Sequence, residues 1–213
     1  MLYLSGRWHK KLEETPMGMV GYLRQPNYSR GISGRLTPEG RYWAADTGIY
    51  GNPAFDFDKY LTLLEQWMPN IRTCLFATAP DVVADWEATL DRSLPAIPEI
   101  KQLGYPVAVV LQDGATSETV PWSVIDAVFV GGSTKWKLSE AAYSLVAEAK
   151  DKGIWAHMGR VNSLRRLRAA QVAGYDSADG THIRFAPDRG AAQVVNWIRS
   201  LENQEVFPLH GIK

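Results

Sequence analysis

The chain has 213 residues, 46% of them apolar, and its 23 Lys plus Arg balance 23 Asp plus Glu. This length and apolar content predict one large domain, 1–213, with a sizeable core; the zero net charge excludes a global field toward nucleic acid or membrane, so any polyanion site must come from local clustering. One cysteine, Cys74, excludes an internal disulfide and a Cys-rich zinc motif, and neither a signal pattern nor an apolar run of membrane length is present, so the expectation is a cytoplasmic protein with no membrane partner.

Short apolar runs alternate with longer amphipathic stretches. The runs 2–6 and 17–23 read as strands, with one or two helical turns over 8–15 between them. Residues 27–40 form a Gly-rich loop with arginines at 30, 35 and 41 in or beside it, and 41–48 is a third strand. Residues 56–68 carry helical periodicity, with Tyr60, Leu63, Leu64 and Trp67 on one face. A strand over 74–80 precedes a mostly helical stretch interrupted by prolines. Residues 106–112 and 126–132 are nearly all apolar, as expected of strands buried on both faces. Helix 138–153 has a Ser N-cap candidate and a terminal Gly. Strand 154–159, helix 163–174, strand 175–180 and helix 190–204 complete the pattern. Eight strands, most followed by a helix, predict a compact (β/α)8 barrel. A doubly wound open sheet would use the same pattern with fewer strands. The eight tryptophans read mainly as core and rim packing.

A parallel barrel places its chemistry at the C-terminal ends of its strands. Those ends carry Asp46-Thr47-Gly48, Pro80-Asp81, Gln112-Asp113-Gly114, Gly131-Gly132-Ser133, His157-Met158-Gly159-Arg160 and Asp179-Gly180-Thr181. Any single strand-end Asp or Gly can be no more than a cap or turn residue. Three acids, a primary amide and a Gly-Gly at one mouth are more specific. One carboxylate can attack a sugar carbon while a second handles protons. An amide, a further acid and exposed backbone groups suit the polar edge of a flat heterocycle. In the stretch Gly174–Phe185, Asp176 and Asp179 fall on opposite faces of one strand. Asp179 lies at the reactive end. Asp176 reads as an anchor near the helix-to-strand turn, and the Gly180-Thr181 pair as room for a sugar.

The ordered segments AADTGIY, VVLQDG, FVGGST and AHMGRVNSLRRLRAAQVAGYDSADGT resemble the tRNA-guanine transglycosylase superfamily, and most closely its short members that insert 7-deazaguanines into DNA (the DpdA type, often of phages). The matches span about residues 42 to 184. The resemblance implies that Asp179 is the nucleophile on C1′ and Asp46 the acid/base group. It implies that Asp81, Gln112, Gly131 and Gly132 read the base, that Met158 and Gly159 line its pocket, and that Thr47 contacts a phosphate or sugar. Three features depart from the family pattern. The three-cysteine, one-histidine zinc subdomain is missing, Thr47-Gly48-Ile49 stands where Ser-Gly-Gly is usual, and Gly180 follows the nucleophile in place of Cys. Asp85 is a second acid near the Asp81 position.

The implied function is base exchange: guanine in DNA is replaced by a 7-deazaguanine through a covalent Asp-glycosyl intermediate, with no cofactor and no metal. DNA is favoured over tRNA because the zinc subdomain serves RNA docking. Lys135, Trp136 and Lys137, with Arg160, Arg184 and Arg189, are the expected contacts to the strand, Trp136 as a stacking surface. The arginines deep in helix 163–174 read as a solvated face. The alternatives are a tRNA transglycosylase or an N-glycosidic hydrolase of the same fold, or a non-catalytic barrel that binds a base or nucleic acid.

Overall fold

In the computed structural model, which describes residues 1–26, 40–50 and 55–202, the strands close into one parallel barrel in sequence order, with β8 pairing back to β1. The strands are β1 (Leu2–Ser5), β2 (Val20–Arg24), β3 (Trp43–Ala45), β4 (Cys74–Thr78), β5 (Val107–Leu111), β6 (Ala127–Val130), β7 (Trp155–Met158) and β8 (Ser177–Gly180). The helices are α1 (Lys10–Glu13), α2 (Phe57–Trp67), α3 (Trp86–Gln102), α4 (Thr134–Lys137), α5 (Glu140–Asp151), α6 (Leu164–Val172), α7 (His182–Phe185) and α8 (Pro187–Glu202). The barrel expected from the β-then-α alternation is therefore present, and the open sheet is not. The stretch 27–39, with Arg30 and Arg35, lies outside the described residues.

Two apolar layers hold the barrel. Leu2, Leu4, Leu23, Ala44, Phe76, Ala108, Val110, Ala127 and Phe129 fill the interior. The alternate residues of the same strands, such as Val109, Val128, Ala156 and Ala178, pack against the helices. This is the two-residue period of a strand written on a closed sheet. Trp43 is fully buried in the outer layer, edge-on to Trp67 and Tyr105. Most tryptophans are core or rim residues, whereas Trp8 is 53% exposed.

Helix α3 is continuous, although Pro95 and Pro98 were expected to interrupt it. Both prolines face solvent while Ala96, Ile97 and Ile100 are buried. The carbonyls freed by the missing N–H groups therefore point outward, where water can reach them. Two short helices, α4 and α7, stand where the sequence predicts none. Arg41 is buried below the barrel, and its guanidinium donates to the carbonyls of Glu13, Thr15 and Val20. Among the described residues, no helix is long and apolar enough to cross a membrane.

Candidate active site

The last inward-facing interior residue of a strand is followed, two positions on, by a residue at the C-terminal mouth. Ala44 leads to Asp46, Val110 to Gln112, Phe129 to Gly131, His157 to Gly159 and Ser177 to Asp179. Strand period and closure thus bring Asp46, Gln112 and Asp179 to one opening.

Asp179 is nearly buried. Its Oδ1 faces His157 Nε2 at 3.2 Å and accepts the backbone N–H of Arg160 at 3.0 Å. No hydrogen bond from the described residues reaches its Oδ2. Arg160 has a left-handed backbone, φ 59°, a costly choice for a residue with a side chain. That turn presents its N–H to Asp179, and its guanidinium donates to Gly132 O and lies 4.4 Å from the Tyr50 ring centre.

Asp46 accepts from Gln25 Nε2 at 2.6 Å and from Gly48 N at 3.2 Å. Burial raises its pKa, and the Asp179 charge adds to the rise; the two donors oppose it. Asp81 accepts from Gln112 Nε2 at 2.6 Å, and its pKa is pushed up to about 6, first by burial and then by the Asp46 charge. Gln112 Oε1 in turn accepts from the N–H groups of Ala84 and Gly132. The amide thus spans three loops and holds Asp81. The neighbouring acid Asp85 is exposed and caps α3. Thr47 is buried beside Asp46, and its N–H bonds Thr78 Oγ1. Gly132 sits at φ 57°, where a Cβ would meet the Trp136 ring and Asp113 Oδ2.

Several expected contacts lie elsewhere. Met158 belongs to the outer layer and faces helices, because it is one residue out of phase with His157 and Gly159. Lys137 is buried, with Nζ donating to Gly159 O at 2.8 Å, so it supports the pocket wall from behind and offers nothing to a phosphate in solvent. Burial and the nearby Arg160 charge lower its pKa to about 8. Trp136 packs against the core and is no open stacking surface. Both reversals have one cause: residues 134–137 form α4, which folds back on the sheet. Lys135, Arg184 and Arg189 remain exposed, and Arg160 is half-buried. In α6, Arg165 is exposed but Arg166 and Arg168 are half-buried, so only part of that face is solvated. Gly180 faces outward, where a Cβ would collide with Val161 O and come within 2.7 Å of the Tyr3 hydroxyl. The missing side chain therefore admits the β7 loop, not a sugar. Asp176 is the anchor expected of it, accepting from Lys150 Nζ and from Ala156 N.

Two residues that touch the acids escaped the sequence reading of roles. His157 stands at an inward position of β7 and Gln25 just past the end of β2, and the alternation with Gly159 and Leu23 is the signal that could have found them. An open groove of about 330 Å³ between α2 and α3, lined by Phe57, Arg92, Pro95 and Glu99 among others, contains none of the three acids. Among the described residues, no three His, Cys, Asp or Glu side chains come together so as to hold a metal ion.

No family model matches the chain, and no curated protein does. Solved structures do match. One described as "Native KDPGal structure" is 13% identical, with 95% of each chain covered and a TM-score of 0.57. A 3-hexulose-6-phosphate synthase from Salmonella typhimurium is 14% identical over 75% of this chain and 74% of its own, with a TM-score of 0.44. At such identities the likeness defines the fold alone: the chain is a TIM barrel.

Proposed function

We propose that this barrel is a base-exchange glycosyltransferase that replaces guanine in DNA with a 7-deazaguanine through a covalent Asp179–glycosyl intermediate. The observation that carries the reading is the contrast between two carboxylates at one mouth. Asp179 has one oxygen that accepts from the Arg160 N–H and lies 3.2 Å from His157 Nε2, and a second that no hydrogen bond from the described residues reaches, while burial and the Asp179 charge bias Asp46 toward its protonated form. An acid of raised proton affinity beside a second carboxylate suits an acid–base partner and a nucleophile.

In the proposed reaction the target nucleotide leaves its stack, at a cost of a few kcal/mol. The Asp179 carboxylate attacks C1′ as the bond from C1′ to N9 breaks. The bonding pair stays with guanine, which takes the Asp46 proton. A 7-deazaguanine then enters, gives its N9 proton to Asp46, and displaces Asp179 from C1′ through N9. Asp81, held by Gln112, suits the N–H edge of the base, since a carboxylate accepts from two adjacent donors. Lys135, Arg184 and Arg189 supply exposed positive charge for the strand.

The resemblance to the short DNA enzymes favours DNA over tRNA. Incubation with labelled guanine and either duplex DNA or tRNA tests this. Label is expected in DNA, and label entering only tRNA would overturn the choice of substrate. Absence of both exchange and a trapped protein–nucleic acid adduct, with either polymer, would overturn the enzyme.

A further inference from the structure

Behind Asp179 lies a line of polar groups buried among aromatic rings. Trp155 Nε1 donates to Ser177 Oγ at 2.9 Å. Ser177 Oγ is 2.8 Å from His157 Nδ1, and His157 Nε2 is 3.2 Å from Asp179 Oδ1. Ser177 and His157 are fully buried, and the imidazole is wedged against Phe129 and Phe76, with ring centres 4.5 and 5.3 Å away.

The direction of the chain follows from its first link. An indole N–H can only donate, so it occupies a lone pair of Ser177 Oγ. The buried Ser177 hydroxyl proton then needs an acceptor, and among the described residues His157 Nδ1 is the one within reach. An Nδ1 that accepts leaves the ring proton on Nε2, which points at Asp179 Oδ1. Every donor in the line is therefore aimed toward Asp179. With the Arg160 N–H on the same atom, Oδ1 is held by two donors and Oδ2, among the described residues, by none.

We propose that Trp155, Ser177 and His157 form a one-way donor chain that holds His157 as its neutral Nε2–H tautomer and clamps Asp179 Oδ1, so that Oδ2 is the oxygen that bonds to C1′. His157 and Ser177 are positioning residues; neither touches the sugar. The assignment of Oδ2 rests on the proposed role of Asp179, whereas the tautomer does not depend on it.

Nitrogen-15 NMR of the histidine side chains in the free protein tests the tautomer directly. His157 is expected to show a protonated Nε2 and an unprotonated Nδ1 at neutral pH, and Ser177→Ala to lose that fixed assignment while Ser177→Thr keeps it. An Nδ1–H tautomer or an imidazolium in the wild type would overturn the chain, whatever the protein acts on. The kinetic arm follows adduct formation with a guanine-containing DNA. His157→Gln and Ser177→Ala should slow the covalent step about 100-fold with little change in KM, since misplaced reacting groups cost about that much. Ser177→Thr should restore most of the rate. Unchanged adduct formation in folded Ser177→Ala and His157→Gln would overturn the clamp. If the wild type forms no adduct at all, the role of Asp179 fails and the NMR result alone decides the donor chain.

Discussion

Replacing Asp81 by Asn should make the protein more stable and less active. Asp81 is 8% exposed, and its pKa rises from an ordinary value of 3.8 to about 6, mainly through burial. Between those values the folded state binds more protons than the unfolded chain. Stability therefore falls as pH rises from about 4 to about 6 and stays lower above that, by about 3 kcal/mol at about 1.4 kcal/mol per pKa unit. Asn is close in shape, carries no charge, and can still accept from Gln112 Nε2 through its oxygen. Asp81→Asn should thus gain up to about 3 kcal/mol at pH 8, or on the order of 10 °C in melting temperature for a chain of this size, and little at pH 4. Urea unfolding at pH 4, 6 and 8 measures this, with the wild type alongside. Removing the Asp81 charge also relieves Asp46, which adds to the gain at pH 8. Loss of stability at pH 8, or an equal change at both ends of the range, would refute the reasoning. So would a gain in stability with exchange activity fully kept, because the charged form would then serve no purpose at the mouth.

Asp179→Asn should abolish adduct trapping and lower exchange by at least about 1,000-fold, with the fold retained by circular dichroism. Gly180→Ala should destabilise by about 1–3 kcal/mol in urea unfolding, because its Cβ would strike Val161 O, and activity should fall with it since Val161 follows the Arg160 clamp. Lys137→Met leaves Gly159 O without its buried donor. Because the folded state lowers the Lys137 pKa from 10.5 to about 8, the wild type gains stability as pH climbs through that window. The difference between wild type and Lys137→Met in urea midpoint should therefore widen from pH 8 to pH 10.

Much of the architecture was legible because it is written locally. β5 and β6 are apolar on both faces, and that continuity reads directly as buried strands. Helix α5 announces itself through Ser139, whose hydroxyl caps Ala142 N, and α6 through Ser163. The acids were legible for a similar reason. A strand that runs apolar and then ends in Asp, Gln or Gly-Gly has left the core and reached the mouth. Asp46, Gln112 and Asp179 do lie on inward positions around it. Two of the four strand-seven residues singled out point elsewhere, however. Met158 is out of phase and faces helices, and Arg160 turns its guanidinium onto Gly132 O instead of leaving it free.

Periodicity by itself placed the candidate strands along the chain and the faces their side chains take, since both depend on residues close in sequence, while a smaller open sheet stayed compatible with it. Tertiary closure decided the rest. The bond from His157 to Asp179 joins residues 22 apart, and that from Gln112 to Asp81 joins residues 31 apart. Neither partner is specified by its neighbours in sequence. The fate of Lys137 and Trp136 turned on a four-residue helix folding back under the mouth, and that of Gly180 on the approach of one carbonyl from the β7 loop. Burial and hydrogen-bond partnership belong to the closed barrel, and they separate the groups that hold the site from those that face a substrate.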